Sequence, residues 1–250
     1  MNNTALYTTR GKSYEFSRPG YPPELMDYLY NSLRFADAEA IADIGSGTGK
    51  FTRLLLERGS RVFAVEPNEE MRAIAESKLS SYPGFHSVNG TASNICIKEK
   101  VDAITVAQAF HWFERLSFKE ECRRILKTEG IICLIWNLRV PDSEITCACR
   151  DIFKRYCPRF VDFNIGFKED DPEIFEFFDG ECEKAVFDNP LKYNSDQFTE
   201  RYLSSSYSLR EGEYGYEECI KAVRDVFYRF SKDGTVVVPN KAICYSGNIR

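Results

Sequence analysis

Residues 40–68 read AIADIGSGTGKFTRLLLERGSRVFAVEPN, and this stretch decides the fold. Its opening run, 40–44, is short and apolar, and glycines follow it, as is typical of a buried parallel strand. Apolar residues then recur at i, i+3 and i+4 from Phe51, which predicts a helix. A second apolar run, 61–67, ends in a proline and indicates the next strand. Strand, glycine loop, helix and strand together predict a right-handed βαβ unit.

The loop of this unit, DIGSGTG at residues 43–49, has three glycines at alternating positions. Such a loop turns tightly and lets a ligand touch the backbone directly. A phosphate-binding P-loop needs Gly-x-x-x-x-Gly-Lys-Ser/Thr, but Ile44 stands at the first glycine position and Phe51 follows the lysine. The dinucleotide fingerprint Gly-x-Gly-x-x-Gly needs a glycine where Lys50 stands. The spacing therefore predicts a nucleotide ligand without phosphates.

An acidic residue, Glu66, lies at the end of the second predicted strand, 17 residues after Gly49. A carboxylate at this place can accept hydrogen bonds from both hydroxyls of a ribose. The loop and the carboxylate together indicate a nucleoside site. The alternative is a glycine-rich turn beside a solvated glutamate.

This segment resembles the S-adenosylmethionine site of the class I methyltransferases, which have a seven-stranded, Rossmann-like fold. Their first motif is acidic-x-Gly-x-Gly-x-Gly, and their second strand ends in an acidic residue. The resemblance implies S-adenosylmethionine as the cofactor, with the loop along its methionine part, Glu66 on the ribose, and an adenine-contacting loop after the third strand. The implied cofactor residues are Asp43, Gly45, Ser46, Gly47, Thr48, Gly49, Glu66, Pro67, Ala92, Ser93 and Gln108.

A fourth strand is predicted over 101–107, and QAFHWF at 108–113 continues from its carboxyl end, where open α/β sheets place ligands. The Asn/Asp-Pro-Pro-Tyr/Phe motif of DNA and RNA amino-methyltransferases is absent from this position. The string resembles instead a small-molecule branch that includes the trans-aconitate methyltransferases. This resemblance implies a small-molecule methyl acceptor and no nucleic-acid partner.

The resemblance covers nearly the whole chain and implies an α/β fold. We expect a Rossmann-like, doubly wound, mostly parallel seven-stranded sheet with helices on both faces. Residues 1–250 are expected to form a single methyltransferase domain. Residues 138–212, rich in aromatics, are expected to form a small cap inserted after the fifth strand that selects the acceptor. The last strand of the sheet is expected at 234–246.

The amino-terminal segment 14–22 is similar to an Arg-Pro-x-Tyr-Pro segment that folds over the cofactor in the relatives. By this similarity Arg18 pairs with the methionine carboxylate, and Tyr14 or Tyr21 closes the pocket. A structural role for each of these residues stays open.

Methyl transfer from a sulfonium requires mainly that the acceptor is aligned for in-line displacement. For a hydroxyl or thiol acceptor, His111 is the predicted catalytic base. For a carboxylate acceptor no base is needed, and the predicted acceptor-binding residues are His111, Trp112, Trp136, Asn137 and Arg139. The alternative for His111 is a packed histidine among aromatic neighbours.

Charge and composition narrow the class of protein. The formal net charge of −5 argues against a protein that neutralises nucleic-acid phosphates. The longest apolar run, 131–136, is far too short for a membrane span, so we expect a cytoplasmic protein without a membrane partner. The nine cysteines are predicted to be reduced thiols, with no metal site. A dinucleotide oxidoreductase and a non-catalytic S-adenosylmethionine-binding module are the alternatives.

Overall fold

The structure is a computed structural model that describes residues 20–164, 166–205 and 207–249. The strands are β1 (Ile41–Ile44), β2 (Val62–Val65), β3 (Phe85–Val88), β4 (Val101–Ala107), β5 (Leu126–Arg139), β6 (Glu183–Asp188), β7 (Leu191–Tyr193), β8 (Val236–Val238) and β9 (Asn240–Gly247). The α-helices are α1 (Pro23–Asp27), α2 (Lys50–Glu57), α3 (Glu69–Leu79), α4 (Arg115–Ile125), α5 (Glu144–Tyr156), α6 (Pro172–Phe177), α7 (Ser195–Leu203) and α8 (Tyr216–Phe230). A π-helical turn, Tyr28–Ser32, continues α1, and 3₁₀ turns span Phe35–Asp37 and Phe110–Trp112. Within these ranges no helix has the length and apolar character needed to cross a membrane.

Seven of the described strands form one sheet in the order β3-β2-β1-β4-β5-β9-β6. Strand β1 pairs in parallel with β2 on one side and with β4 on the other, and the pairs β2–β3 and β4–β5 are also parallel. The strand order reverses between β1 and β4, which opens a crevice at the carboxyl ends of these strands. The expected doubly wound, mostly parallel sheet of seven strands is confirmed.

The elements around the glycine loop form for local reasons. All residues of β1 and β2 are buried, as the apolar runs predict, and Asp43 is the one polar residue within β1. Helix α2 follows β1 and buries Phe51, Leu55 and Leu56 on one side. Helix α3 follows β2, and its first turn is capped by the Asn68 side chain, which accepts a hydrogen bond from the Met71 amide at 3.0 Å. The loops after β1 and β2 are thereby held between a buried strand and a helix.

The chain divides into two compact units. The described part of the first, the sheet unit, comprises 20–136, 167–187 and 242–249. The described part of the second, the helical unit, comprises 137–164 and 188–241 apart from residue 206. In the helical unit α5, α7 and α8 surround an apolar cluster, and β7 pairs with β8 in an antiparallel ribbon. Buried members of that cluster include Cys149, Phe153, Phe198, Tyr202, Val223 and Phe227.

These units differ in extent from the cap expected at 138–212. Residues 167–187 lie in the sheet unit, because Phe177 packs there against Phe110 and Phe118 with ring centroids 5.1 and 5.4 Å apart. Helix α8 lies in the helical unit instead. The single strand expected over 234–246 is wrong, since β8 and β9 are separate strands in different sheets. Pro239 stands between them and has no amide hydrogen to continue a ladder.

Candidate functional site

The loop after β1 holds its glycines in left-handed conformations, with φ of +71° at Gly45, +57° at Gly47 and +79° at Gly49. Glycine alone adopts such angles freely. A Cβ on Gly45 would lie 2.6 Å from the Ala109 Cβ, and a Cβ on Gly49 would lie 2.5 Å from Leu79 Cδ1. At Gly47 the nearest atom would be 3.9 Å away. The outer glycines let the loop pack against protein, and the middle glycine leaves room for a ligand.

Glu66 follows β2 and directs its buried carboxylate at this loop. Its Oε2 accepts a hydrogen bond from the Gly47 amide and its Oε1 one from the Asn68 amide, both at 2.9 Å. Burial raises the pKa of the Glu66 carboxyl, although these two hydrogen bonds lower it. A carboxylate has about four lone-pair sites, so each oxygen can accept a further hydrogen bond. Glu66 therefore retains capacity for ligand hydroxyls.

Asp43 lies in β1 and is fully enclosed by protein. The Thr52 hydroxyl donates to its Oδ2 at 2.6 Å, and the Thr105 hydroxyl donates to its Oδ1 at 2.9 Å. Burial raises the pKa of Asp43 to about 6, and the two threonine hydrogen bonds counteract that rise. Asp43 thus ties β1 to α2 and β4 beneath the glycine loop.

Sequence reasoning missed the two threonines. The available signal was a polar residue inside an otherwise apolar face: Thr52 beside Phe51 in α2, and Thr105 within β4. Both side chains are completely buried, so each needs a polar partner inside the protein. Asp43 is that partner.

The hydroxyl of Ser46 is buried and makes no hydrogen bond with the described residues. Leaving a buried hydroxyl unsatisfied costs about 1–3 kcal/mol, a cost that a bound ligand can offset. Thr48, two residues on, is also buried, and Pro67 is exposed beside Glu66. The loop therefore offers a donor and acceptor that the protein itself leaves unused.

Ala92 and Ser93 follow β3, the strand whose Val88 carbonyl accepts the Glu66 amide at 3.1 Å. They form a tight turn closed by reciprocal backbone hydrogen bonds between Thr91 and Asn94. The turn follows β3, the edge strand, which pairs with β2, and Glu66 comes directly after β2. This is the place in the chain where an adenine-contacting loop is expected.

The segment after β4 begins at Gln108, which has a left-handed φ of +61° and an amide that donates to the Ile135 carbonyl at 2.8 Å. A 3₁₀ turn follows, with His111 half-buried and Trp112 53% exposed. The two rings have centroids 4.7 Å apart. Arg115 donates to the Phe110 carbonyl at 2.6 Å and fixes the turn. His111 is thus presented just past the carboxyl end of β4.

Trp136 lies near the carboxyl end of β5 and is 2% exposed. Its ring contacts Phe110, Phe167 and Tyr245, with centroids 6.0, 5.0 and 6.1 Å away. Its indole Nε1 has no hydrogen-bond partner among the described residues. Buried indole N–H groups usually find an acceptor, so Trp136 keeps a donor that the described residues do not use.

The remaining predicted acceptor residues lie in the helical unit. Asn137 accepts a hydrogen bond from the Asn189 side chain at 2.9 Å. The Arg139 guanidinium lies 4.5 Å from the ring centroid of Phe163. Predicted acceptor residues are therefore divided between the two units, with His111 in the sheet unit.

At the amino-terminal end, Tyr21 is half-buried and packs edge-on against Phe51, with ring centroids 4.9 Å apart. Phe51 is in the first turn of α2, directly after the glycine loop. Tyr21 is therefore close to the loop in the structure. Arg18 and Tyr14 lie outside the described residues.

The residues after β1 and β2 fit a phosphate-free nucleoside. The middle glycine leaves space, the Ser46 hydroxyl is unpaired, and the Glu66 carboxylate has spare acceptor capacity. A phosphate beside Glu66 would be repelled by the negative charge of its carboxylate. Ribose hydroxyls can instead donate hydrogen bonds to that carboxylate.

Comparison with known proteins agrees with this geometry. Residues 42–134 match the model of a methyltransferase domain family. An uncharacterized methyltransferase of Mycobacterium tuberculosis is 41% identical over 128 residues, which cover 51% of this chain and 50% of that protein. The chain spans about half the length of the curated relatives it matches most strongly.

Two solved structures extend the similarity of the fold over most of the chain. A protein of Anabaena variabilis, described as a methyltransferase from an antibiotic biosynthesis pathway, has a TM-score of 0.65 at 18% identity, covering 94% of this chain and 99% of that one. A SAM-dependent methyltransferase of Geobacter sulfurreducens, solved with S-adenosyl-L-homocysteine, has a TM-score of 0.52 at 14% identity, covering 98% of each chain. The chain therefore resembles methyltransferases in sequence over residues 42–134 and shares the fold of these two solved structures.

Proposed function

We propose that this chain transfers a methyl group from S-adenosylmethionine to a small organic molecule that carries a carboxylate or a hydroxyl. One observation carries the proposal. The buried Glu66 carboxylate accepts the Gly47 amide at 2.9 Å, which joins an acid after β2 to the glycine loop after β1. Such a pairing suits a ribose-bearing ligand without phosphates, because it holds the acid next to the loop that the ligand would contact.

In this proposal the cofactor lies along the carboxyl ends of β1 and β2. Glu66 accepts hydrogen bonds from the two ribose hydroxyls, and Ser46 gains the partner that its buried hydroxyl lacks. The backbone at Gly47 approaches the ligand directly, and Ala92 and Ser93 lie against the adenine. Asp43 supports the loop from below through the hydrogen bonds that it accepts from Thr52 and Thr105.

When bound, the cofactor supplies a methyl group already activated on a sulfonium. The protein's contribution is to bind the acceptor, exclude water and align the attacking atom. His111, after β4, removes the proton from a hydroxyl acceptor or orients a carboxylate acceptor. The indole N–H of Trp136 donates to the acceptor, which would satisfy the buried group.

The helical unit is proposed to select the acceptor, with Asn137 and Arg139 as its contributions. The family model covers residues 42–134, so the described part of this unit lies outside the segment that the chain shares with that family. Acidic overall charge supports a small acceptor over a nucleic acid. Membership of the trans-aconitate-like branch remains a prediction.

The first experiment is calorimetric titration of the full chain with S-adenosylhomocysteine, with NAD as the comparison ligand. Saturable binding of the former and no binding of the latter support the proposal over a dinucleotide oxidoreductase. Absence of saturable binding of the former would overturn it.

A second experiment separates an enzyme from a non-catalytic binding module. Transfer of isotope-labelled methyl to small carboxylic acids and alcohols is measured with the full chain. Turnover that disappears in the Glu66→Ala variant supports catalysis at this site. Tight binding without turnover across the panel would favour a binding module.

A further inference from the structure

Two arginines lie together in the helical unit, and the cofactor site uses neither of them. Arg139 is the last residue of β5, and Arg201 lies in α7. The Arg139 backbone is fixed from both sides by Asn164, whose side chain accepts its amide at 3.0 Å and donates to its carbonyl at 2.9 Å. The Arg139 side chain therefore extends from a rigid position.

No carboxylate of the described residues forms an ion pair with either guanidinium. The other arginines that lie in partly buried places of this chain do pair with acids, as Arg150 does with Asp162 at 2.9 Å and Arg115 with Glu173 at 3.2 Å. The ionisable groups that neighbour both Arg139 and Arg201 are phenols. Burial, and then the charge of Arg139, lower the pKa of Arg201 to about 10. Two half-buried positive charges thus share an aromatic surrounding, and no carboxylate of the described residues pairs with either of them.

The polar atoms at this place are also unsatisfied. The Nη2 atom of Arg139 and the hydroxyl of Tyr202 are both buried without a hydrogen-bond partner among the described residues. The Cys149 thiol is beside that hydroxyl but is a weak acceptor. The Arg139 guanidinium lies 5.3 Å from the Tyr202 ring and 4.5 Å from the Phe163 ring. A guanidinium donor and a phenol donor therefore lie in the same neighbourhood, and neither has a strong acceptor among the described residues.

A purely structural role explains this arrangement poorly. Stacking on aromatic rings stabilises one guanidinium, but it satisfies no N–H group and leaves the repulsion between two like charges in place. A bound oxyanion satisfies the N–H groups, because it accepts several hydrogen bonds. Its negative charge also offsets the repulsion between the two guanidinium groups. Arginine is the side chain whose fork of donors matches a carboxylate or a phosphate.

We propose that Arg139 and Arg201 bind the anionic group of the methyl acceptor, a carboxylate or a phosphate on a small organic molecule. Tyr202 donates a further hydrogen bond to the same group, and the Phe163 ring forms an apolar wall beside it. The assignment to the acceptor rests on the proposed methyltransferase function. The anion site itself does not depend on that function and is tested by binding alone.

The test is thermal unfolding and calorimetry of the full chain at constant ionic strength. The probes are succinate and benzoate for a carboxylate, and inorganic phosphate and phenyl phosphate for a phosphate. We expect one of these classes to raise the melting temperature saturably. The class that binds identifies the source of the oxyanion.

The variants are Arg201→Gln and Arg139→Gln, with Arg224→Gln as the control. Arg224 is exposed on α8 of the same unit and forms no ion pair in the described part of the chain. We expect Arg201→Gln to weaken binding of the active probe roughly ten- to hundredfold, as for loss of a charge-assisted hydrogen bond. Without the probe, the melting temperature of Arg201→Gln should equal or exceed that of the parent, because the variant removes an unbalanced charge. Arg224→Gln should behave as the parent does in both measurements.

Two results would overturn the site: no probe raises the melting temperature, or Arg201→Gln binds the probe as tightly as the parent does. A fall in melting temperature of Arg201→Gln without probe, with binding unchanged, would assign a structural role. A failure of the methyltransferase proposal would give a different result. The parent would bind the anion, the arginine variants would bind it weakly or not at all, and no labelled methyl group would be transferred to any acid.

Discussion

The Gly47 amide donates a 2.9 Å hydrogen bond to the Glu66 carboxylate. This bond connects the loop after β1 with the residue after β2. Strands β1 and β2 are neighbours in the sheet. The same carboxylate accepts the Asn68 amide just before α3. One buried acid therefore organises both loops that the proposed cofactor would contact.

Replacing Glu66 by alanine should weaken S-adenosylhomocysteine binding by about 1.5–3 kcal/mol, because charge-assisted hydrogen bonds to the ribose are lost. Calorimetric titration measures this change. Glu70→Ala, an exposed residue in the first turn of α3, is the control and should bind as the parent does. Unchanged affinity in the Glu66 variant would contradict the ribose assignment.

Replacing Gly49 by alanine should destabilise the protein more than replacing Gly59 does. Both glycines have a left-handed φ, near +79° and +86°, so alanine costs about 1–2 kcal/mol at either position. A Cβ at Gly59 meets no atom within 4 Å, whereas one at Gly49 meets Leu79 at 2.5 Å. Overpacking should add about 1–3 kcal/mol at Gly49 alone. Urea denaturation measures both variants, and equal losses would contradict the close packing.

The raised pKa of Asp43 predicts a pH dependence of stability. Its pKa is about 6 in the folded protein against 3.8 for the free side chain. Between these values the folded state binds more protons than the unfolded state, so the free energy of unfolding falls as the pH rises through this window. Asp43→Asn removes the effect. Relative to the parent, it should gain up to about 3 kcal/mol between pH values of about 4 and 7.

Urea denaturation at a series of pH values checks this prediction. Asp225→Asn, an exposed carboxylate on α8, is the matched control and should track the parent. A parallel pH profile for Asp43→Asn and the parent would show that burial does not hold the proton on Asp43.

Replacing His111 by glutamine should lower methyl transfer and leave cofactor affinity unchanged. With a hydroxyl acceptor, loss of a general base costs about 10²–10⁴-fold in kcat. With a carboxylate acceptor, the loss should fall mainly on KM. His86→Gln is the control, because His86 lies in β3 and accepts a hydrogen bond from Arg61 at 3.2 Å. Full activity of the His111 variant with every accepted substrate would assign it a packing role.

The sheet and the glycine loop were predictable from sequence because their signals are local. An unbroken apolar run, three alternating glycines and an acid at the next strand end fall within residues 40–68. Each reflects a constraint on its own segment: burial on both faces, a left-handed φ, or the end of a strand.

The rest depends on contacts between distant segments. Arg139 and Arg201 are 62 residues apart along the chain, and nothing in either segment indicates that their charges lie together. Thr105 is likewise 62 residues from Asp43, and within an apolar strand it resembles any β-branched residue. The helical unit differs in extent from the cap expected at 138–212 for a related reason. Phenylalanines lie in the interior of both units. The aromatic content of the sequence therefore could not show that residues 167–187 belong to a different unit from the segments before and after them.

Within the described residues, the backbone passes between the sheet unit and the helical unit at four points, near residues 136, 166, 187 and 241. Neither unit is therefore a contiguous segment of the chain, so genetic recombination could not exchange one of them through a single pair of junctions. On the proposed function, a change of acceptor preference should arise by point substitutions within the helical unit and not by exchange of the whole unit.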